Sequence, residues 1–165
     1  MGKLLMVAAV MAGTLSPALG QDVPEHGGDD HHVAHLGDLE VVHAWARAAA
    51  VGAETTVFFE VENGGAPVTL EGAETEAAAA VEIVGAQMGT DTTMTLVPVG
   101  AVDLPTGHFD FDPAGLGLRL TGLTQDLVQG EEFELELMLG GNHLHVHVAI
   151  EAANATQHSH AGHSH

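Results

Sequence analysis

The sequence predicts an all-β domain, folded as an antiparallel sandwich or Greek-key barrel. Two observations lead to this fold class. Segments in which apolar and polar residues alternate recur between residues 38 and 151, and such alternation is typical of strands half buried in a sheet. Glycine, proline and asparagine separate these segments at short intervals, so about seven to nine short strands are expected.

The alternating segments can be placed in chain order. They lie at residues 56–62, 94–99, 109–111, 116–120, 133–137 and 144–148. Turns are predicted between them, at residues 63–65, 105–107, 113–115 and 140–142. The alanine run at residues 77–80 is compatible with one helical turn, and the sequence has no long amphipathic helical pattern.

Residues 1–20 have the anatomy of a secretory signal peptide. Lys3 precedes an apolar stretch from Leu4 to about Ala12, and the segment ends in the small residues that suit cleavage after Gly20. The apolar stretch is too short for a stable membrane anchor. Because the sequence contains no cysteine for lipid attachment or disulfides, we expect a free, soluble protein in the periplasm or outside the cell.

The charge of the chain excludes several kinds of partner. The formal net charge is −20 with neutral histidines, because 23 acidic residues face three basic ones. Such a field repels nucleic acid and anionic membrane surfaces, and it attracts cations. We therefore expect no nucleic-acid partner and no membrane insertion, and the oligomeric state stays open.

The histidine content points to metal binding. The chain has 13 histidines, most of them near its two ends. Residues 21–37 are predicted to form a flexible arm and residues 152–165 a flexible tail, since both are polar and histidine-rich. Histidine without cysteine suits metal binding in an oxidising compartment. The candidate ligands in these segments are His31, His32, His35, His158, His160, His163 and His165.

The folded domain adds a hairpin with alternating histidines. His143, His145 and His147 share one face of a predicted strand. This face is expected to point outward, because the intervening apolar residues belong to the core. A tight turn at the preceding glycines would place Glu134 and Glu136 opposite these histidines. Such a ladder can bind Cu(II), Zn(II) or Ni(II). It can also be a solvated face whose glutamate–histidine pairs only tune the response to pH.

The other notable side chains have simpler interpretations. We expect structural roles for His43 and for the isolated His108, and a core or edge position for Trp45. Arg47 and Arg119 are expected to pair with acids. The sequence has no nucleophile elbow, phosphate-binding glycine loop or His-Glu-x-x-His motif, so no enzymatic activity is expected.

Several segments together resemble a known family. Residues 42–47 (VHAWAR) and 58–65 (FFEVENGG) resemble the opening of the PCu(A)C periplasmic copper chaperones. The resemblance continues, in order, through residues 80–83, 97–99, 104–105, 113–116, 120–123 and 127–131. It implies a cupredoxin-like antiparallel Greek-key sandwich at residues 38–151 and a role in delivering copper toward the respiratory oxidase.

The copper ligands of that family do not carry over to this chain. The family binds Cu(I) through two histidines and two methionines. The matching positions hold Val84, Thr95 or Leu96, Gly117 and Arg119. The nearby Met88 and Met94 are either remnants of such a site or ordinary methionines. The resemblance therefore implies a fold, an exported compartment and an association with copper, without a ligand set.

These features predict a periplasmic copper chaperone or copper buffer. It would hold copper, as Cu(II) or Cu(I), through exposed histidines and pass it to a periplasmic recipient protein by ligand exchange. Imidazole and carboxylate ligands favour Cu(II), Zn(II) or Ni(II) over Cu(I), and the affinity order favours copper. Two alternatives stay open: a metal-free structural or interaction module whose acidic, histidine-rich surface responds to pH, and a zinc or nickel scavenger.

Overall fold

The computed structural model describes residues 32–89 and 93–159, which form eleven β-strands. The strands are β1 (Val33–Leu36), β2 (Leu39–Arg47), β3 (Glu54–Asn63), β4 (Val68–Glu74), β5 (Ala78–Met88), β6 (Met94–Pro98), β7 (Val102–Leu104), β8 (Gly107–Phe111), β9 (Leu116–Leu123), β10 (Glu132–Leu139) and β11 (Asn142–Glu151). Within these two ranges no helix has the length and apolar character that a membrane span requires.

All eleven strands belong to one hydrogen-bonded sheet. Its path runs β6-β5-β9-β3-β2-β11-β10-β4-β7, with β1 also paired to β2 and β8 to β3. Val57 and Leu118 from one half of this path share a single core with Leu135 and Val146 from the other half. The two halves of the sheet therefore pack on one core, and the predicted all-β sandwich is confirmed.

Three details differ from the sequence prediction. The alanine run at residues 77–80 is not helical: Ala78 opens β5 and pairs with Leu123 of β9, because sheet pairing overrides the high helix propensity of alanine. The sheet contains one parallel pair, β2 with β11, in which Ala149 lies beside Trp45. Strands β1, β2, β4, β5 and β7 lie outside the six alternating segments, which raises the count to eleven.

The folded part extends beyond residues 38–151 at both ends. Strand β1 lies within the segment predicted as a flexible arm, and it pairs with the first half of β2. After β11 the chain turns back, and Ser159 donates hydrogen bonds from its backbone nitrogen and its hydroxyl to Glu151 Oε1, at 2.9 and 2.7 Å. The predicted signal peptide and residues 21–31 lie outside the described residues.

A β-bulge in β2 shapes the outer face of the sheet. The register between β2 and β3 shifts between Val42 and Trp45, and His43 within the bulge has a φ of 53°. Beyond the bulge, Trp45 packs on Phe58 with ring centres 5.0 Å apart, and both side chains are buried outside the main core. The Arg47 guanidinium lies over both rings, and its Nε donates to the Ala155 carbonyl at 2.7 Å. Arg47 thus holds the C-terminal segment on the sheet, and no acid of residues 32–89 or 93–159 forms an ion pair with it.

Candidate metal centre

The hairpin of β10 and β11 has the predicted geometry. Gly140 and Gly141 form a two-residue turn with φ angles of 54° and 77°, values that glycine adopts without strain. The resulting register pairs Glu134 with His147 and Glu136 with His145. Apolar residues of both strands face the core, so the glutamates and histidines share the outer face.

The outward histidines contact these glutamates. His145 Nδ1 lies 2.6 Å from Glu134 Oε1, and His145 Nε2 lies 3.9 Å from Glu136 Oε2. The His143 Nδ1 contacts Glu136 Oε1. The side chains of His143 and His145 are 59% and 62% exposed, so an ion or a partner protein can reach them from solvent.

Strand β1 lies beside this hairpin and forms a groove with it. β3 occupies one edge of β2, so β1 and β11 must share the other edge, β1 along its first half and β11 along its second. The groove between them has a volume of about 440 Å³. We call it the histidine groove, because five of its lining residues are His32, His35, His143, His145 and His147. The arm and the hairpin, which the sequence suggested separately, therefore meet at one surface.

The tail histidines have different positions. His158 is 2% exposed and its Nε2 lies 3.7 Å from Glu151 Oε1, so it is fixed on the folded domain. This part of the predicted flexible tail is therefore packed. His31, His160, His163 and His165 lie outside the described residues, and their part in a site stays a prediction.

A second cluster was not found by sequence reasoning. Among the described residues, Glu60, His108 and Asp110 form one group whose candidate ligand atoms all lie within 4.8 Å of one another. Pairing of β3 with β8 places Glu60 opposite Asp110 and Glu62 opposite His108. His108 looked isolated because Glu60 and Glu62, which lie beside it in space, are more than 40 residues away in sequence, and only the sheet topology brings them together.

The positions of the family's copper ligands cannot hold a metal in this chain. Val84 and Gly117 pair directly between β5 and β9, and Val84 is fully buried. A Cβ on Gly117 would lie 2.5 Å from Thr56 Cγ2, so no ligand side chain fits there. Arg119 instead forms an ion pair with Glu82 at 2.6 Å, as expected of this cation, and donates to the Leu96 carbonyl at 3.4 Å. Any bound metal must therefore use other residues.

The two methionines near those positions are on the surface. Met88 and Met94 pair directly between β5 and β6, and they are 68% and 53% exposed. Neither contributes to the core.

Comparison with solved structures defines the fold class. The copper-bound PCuAC domain from PmoF2 matches with a TM-score of 0.61 and 20% identity, over 73% of this chain and 98% of that domain. The apo PCuAC domain from PmoF1 matches with a TM-score of 0.63 and 24% identity, over 73% and 99%. The solution structure of CuI-DR1885 from Deinococcus radiodurans matches with a TM-score of 0.50 and 24% identity, over 67% and 78%. The fold is thus the cupredoxin-like sandwich of PCuAC domains.

Comparison with protein families shows to which family the chain belongs. A family model described as "Putative lipoprotein LpqE-like" matches residues 39–150, which is more than half of the chain. The protein therefore belongs to the LpqE-like family, a PCuAC-type family, and the resemblance recognised in the sequence is confirmed. No curated protein matches the sequence.

Proposed function

We propose that this protein is an exported, non-enzymatic copper chaperone or copper buffer that binds its cargo in the histidine groove. The observation that carries this proposal is the meeting of five histidines from β11 and from the start of the folded chain on one exposed surface. Membership of a PCuAC-type family and the copper-bound relatives support copper as the cargo. The description of the family as putative lipoproteins supports export.

The donor set of the groove suits oxidised copper. It consists of imidazole nitrogens and carboxylate oxygens, and the chain has no thiolate to offer. Imidazole suits Cu(II), Zn(II) and Ni(II), and at equal availability Cu(II) binds such ligands most tightly. Glu134 and Glu136 contact ring nitrogens of His145 and His143, so they can orient these imidazoles or bind the ion themselves.

Exposure of the groove suits transfer rather than storage. A copper ion bound by exposed imidazoles can exchange them one at a time for ligands of a recipient protein. The formal charge of −20 attracts the cation from solution before binding. His160, His163 and His165 would add a capture segment of low selectivity next to the domain.

The proposal is tested by a Cu(II) competition titration against a chelator of known affinity. We expect the double variant His145→Gln/His147→Gln to bind Cu(II) at least tenfold more weakly than the wild type. A matched control, His163→Gln/His165→Gln, removes two histidines from the tail and should keep the affinity of the groove. The same series with Zn(II) and Ni(II) distinguishes a copper protein from a zinc or nickel scavenger.

Two outcomes would overturn the groove as the copper site. If the tail variant loses affinity and the groove variant does not, copper binds outside the folded domain. If wild-type protein binds all three metals only weakly and at many sites, the domain carries no cargo. The metal-free interaction module, with its pH-sensitive glutamate–histidine surface, would then replace the chaperone.

A further inference from the structure

Three imidazole rings from separate parts of the chain pack together beside β2. His32 precedes β1, His43 lies in the β2 bulge, and His158 follows β11. The ring centres of His32 and His158 are 5.7 Å apart, and those of His43 and His158 are 5.9 Å apart. We call these residues the histidine trio. Its central member, His158, is buried, so the trio lies at a closed junction and not on an open face.

Each ring of the trio has one nitrogen directed to a glutamate. The contacts are His32 Nε2 to Glu132 Oε1 at 3.7 Å, His43 Nδ1 to Glu60 Oε1 at 3.3 Å, and His158 Nε2 to Glu151 Oε1 at 3.7 Å. Metal-binding histidines commonly present one ring nitrogen to a carboxylate, which fixes the ring and directs the other nitrogen to the ion. In the trio, His43 has such a carboxylate at hydrogen-bond distance, and His32 and His158 each have one slightly further from a ring nitrogen.

The ring separations fit a shared ion. An imidazole nitrogen binds Zn(II) at about 2.0–2.1 Å, and its ring centre is about 1 Å further away, so two rings on one ion have centres up to about 6 Å apart. Both measured separations fall within this limit. The rings of His43 and His158 are stacked at 25°, so binding of one ion requires the partly exposed His32 and His43 rings to rotate until their nitrogens meet beside His158.

The backbone at His43 supports a functional position. His43 is the one non-glycine residue with a positive φ among those the structure describes, and it lies in a bulge. Bulges re-aim side chains, and residues held in the left-handed region cluster at functional sites. Here the bulge directs the imidazole to the C-terminal segment, where it stacks on His158.

We propose that His32, His43 and His158 form a second metal site, for one Cu(II) or Zn(II) ion, that joins the two ends of the folded chain. His32 also borders the histidine groove, whereas His43 and His158 do not line it. His43 and His158 therefore belong to the trio alone, and substitutions of these two residues leave the histidines of the groove in place. An ion bound there would connect the segment before β1, strand β2 and the C-terminal segment, and would stabilise the junction as well as hold cargo.

The test counts tightly bound metal in purified full-length protein. Cu(II) and Zn(II) are titrated separately against a chelator, with wild type and the variant His43→Gln/His158→Gln. We expect the variant to lose one equivalent of at least one metal, with a decrease in its affinity of at least tenfold. Circular dichroism checks that the variant is folded.

Two controls separate this site from the others. His163→Gln/His165→Gln removes two histidines from the same tail, and His145→Gln/His147→Gln removes two from the groove. Both should retain the equivalent that the trio binds. A folded His43→Gln/His158→Gln variant with wild-type stoichiometry and affinity for both metals would overturn the trio site, whatever the groove variant does.

A second measurement covers the case in which the double variant does not fold. Histidine ring signals of the wild type are followed by NMR as Zn(II) is added. If the site exists, the assigned ring signals of His43 and His158 shift together as one equivalent binds, and hydrogen exchange of residues 152–159 slows. If these signals stay unchanged while metal binds elsewhere, the trio only packs the C-terminal segment and the proposal fails.

Discussion

The side chain of His108 lies between carboxylates on the outer face of β3 and β8. Its Nδ1 is 2.6 Å from Glu62 Oε1, and its Nε2 is 2.8 Å from Asp110 Oδ1. The hydrogen bond with Glu62 raises the pKa of His108 above its usual value of 6.5; burial opposes this shift, and the charges of Asp110, Glu62 and Glu60 add to it. A proton thus competes with any ion for this cluster.

The raised pKa of His108 predicts a pH-dependent contribution to stability. The folded state binds the proton more tightly than the unfolded state, so this contribution is fully present below pH 6.5 and is lost as pH rises through the raised pKa. The difference in unfolding free energy between wild type and His108→Gln should therefore shrink as pH rises. Urea unfolding at several pH values, with an NMR titration of the ring, measures it. An equal difference at every pH would contradict the assignment.

The β10–β11 hairpin is the element on which the groove depends. Its turn fixes the register, and a slip by one residue would move every outward histidine to the core face. Gly141 has a φ of 77°, and a Cβ added there would meet nothing within 4 Å. A substitution at Gly141 therefore tests the backbone conformation of the turn without a steric clash.

Gly141→Ala should destabilise the protein by about 1–2 kcal/mol, the cost of holding an L-residue in the left-handed region. Gly141→Asn should cost less, because asparagine adopts this conformation more readily. Chemical denaturation of both variants measures the difference. Equal losses of stability in the two variants would mean that Gly141 is required for a reason other than its left-handed backbone conformation. The asparagine variant should keep the copper affinity of wild type, since its register and histidines are unchanged.

The hairpin also shows how far strands and their pairing could be predicted from the sequence. Strict alternation in β10 and β11 gave the faces, the turn and the pairing of glutamates with histidines. The position of β1 could not be foreseen, because four residues give little periodic signal and its place depends on which edge of β2 is open. The approach of His43 to His158 depends on a bulge and on the fastening of the C-terminal segment by Arg47, and both are tertiary effects.

At the scale of the whole molecule, charge dominates the behaviour of the chain. Its 23 acidic residues and three basic ones give a formal charge of −20, and the fold must hold these acids close together without disulfides. Many of them alternate with core residues along strands, so the sheet that buries the apolar side chains also lines up the carboxylates. This self-repulsion destabilises the compact state. The same field concentrates metal cations near the histidines, so attraction of cargo and loss of stability have one cause.

Screening of the carboxylate charges by salt should therefore stabilise the metal-free protein. Between about 0.01 M and about 1 M salt the screening length falls from about 30 Å to about 3 Å, which removes most repulsion between exposed carboxylates. We expect the Tm of protein treated with a chelator to rise with sodium chloride concentration at pH 8. The control is the same salt series on the same protein at a pH where the histidines are protonated. The 13 positive charges of the histidines then offset more than half of the formal charge of −20. The rise in Tm should be smaller there. If the rise is the same at both pH values, chloride acts through general exclusion from the surface, and self-repulsion does not limit the stability of this fold.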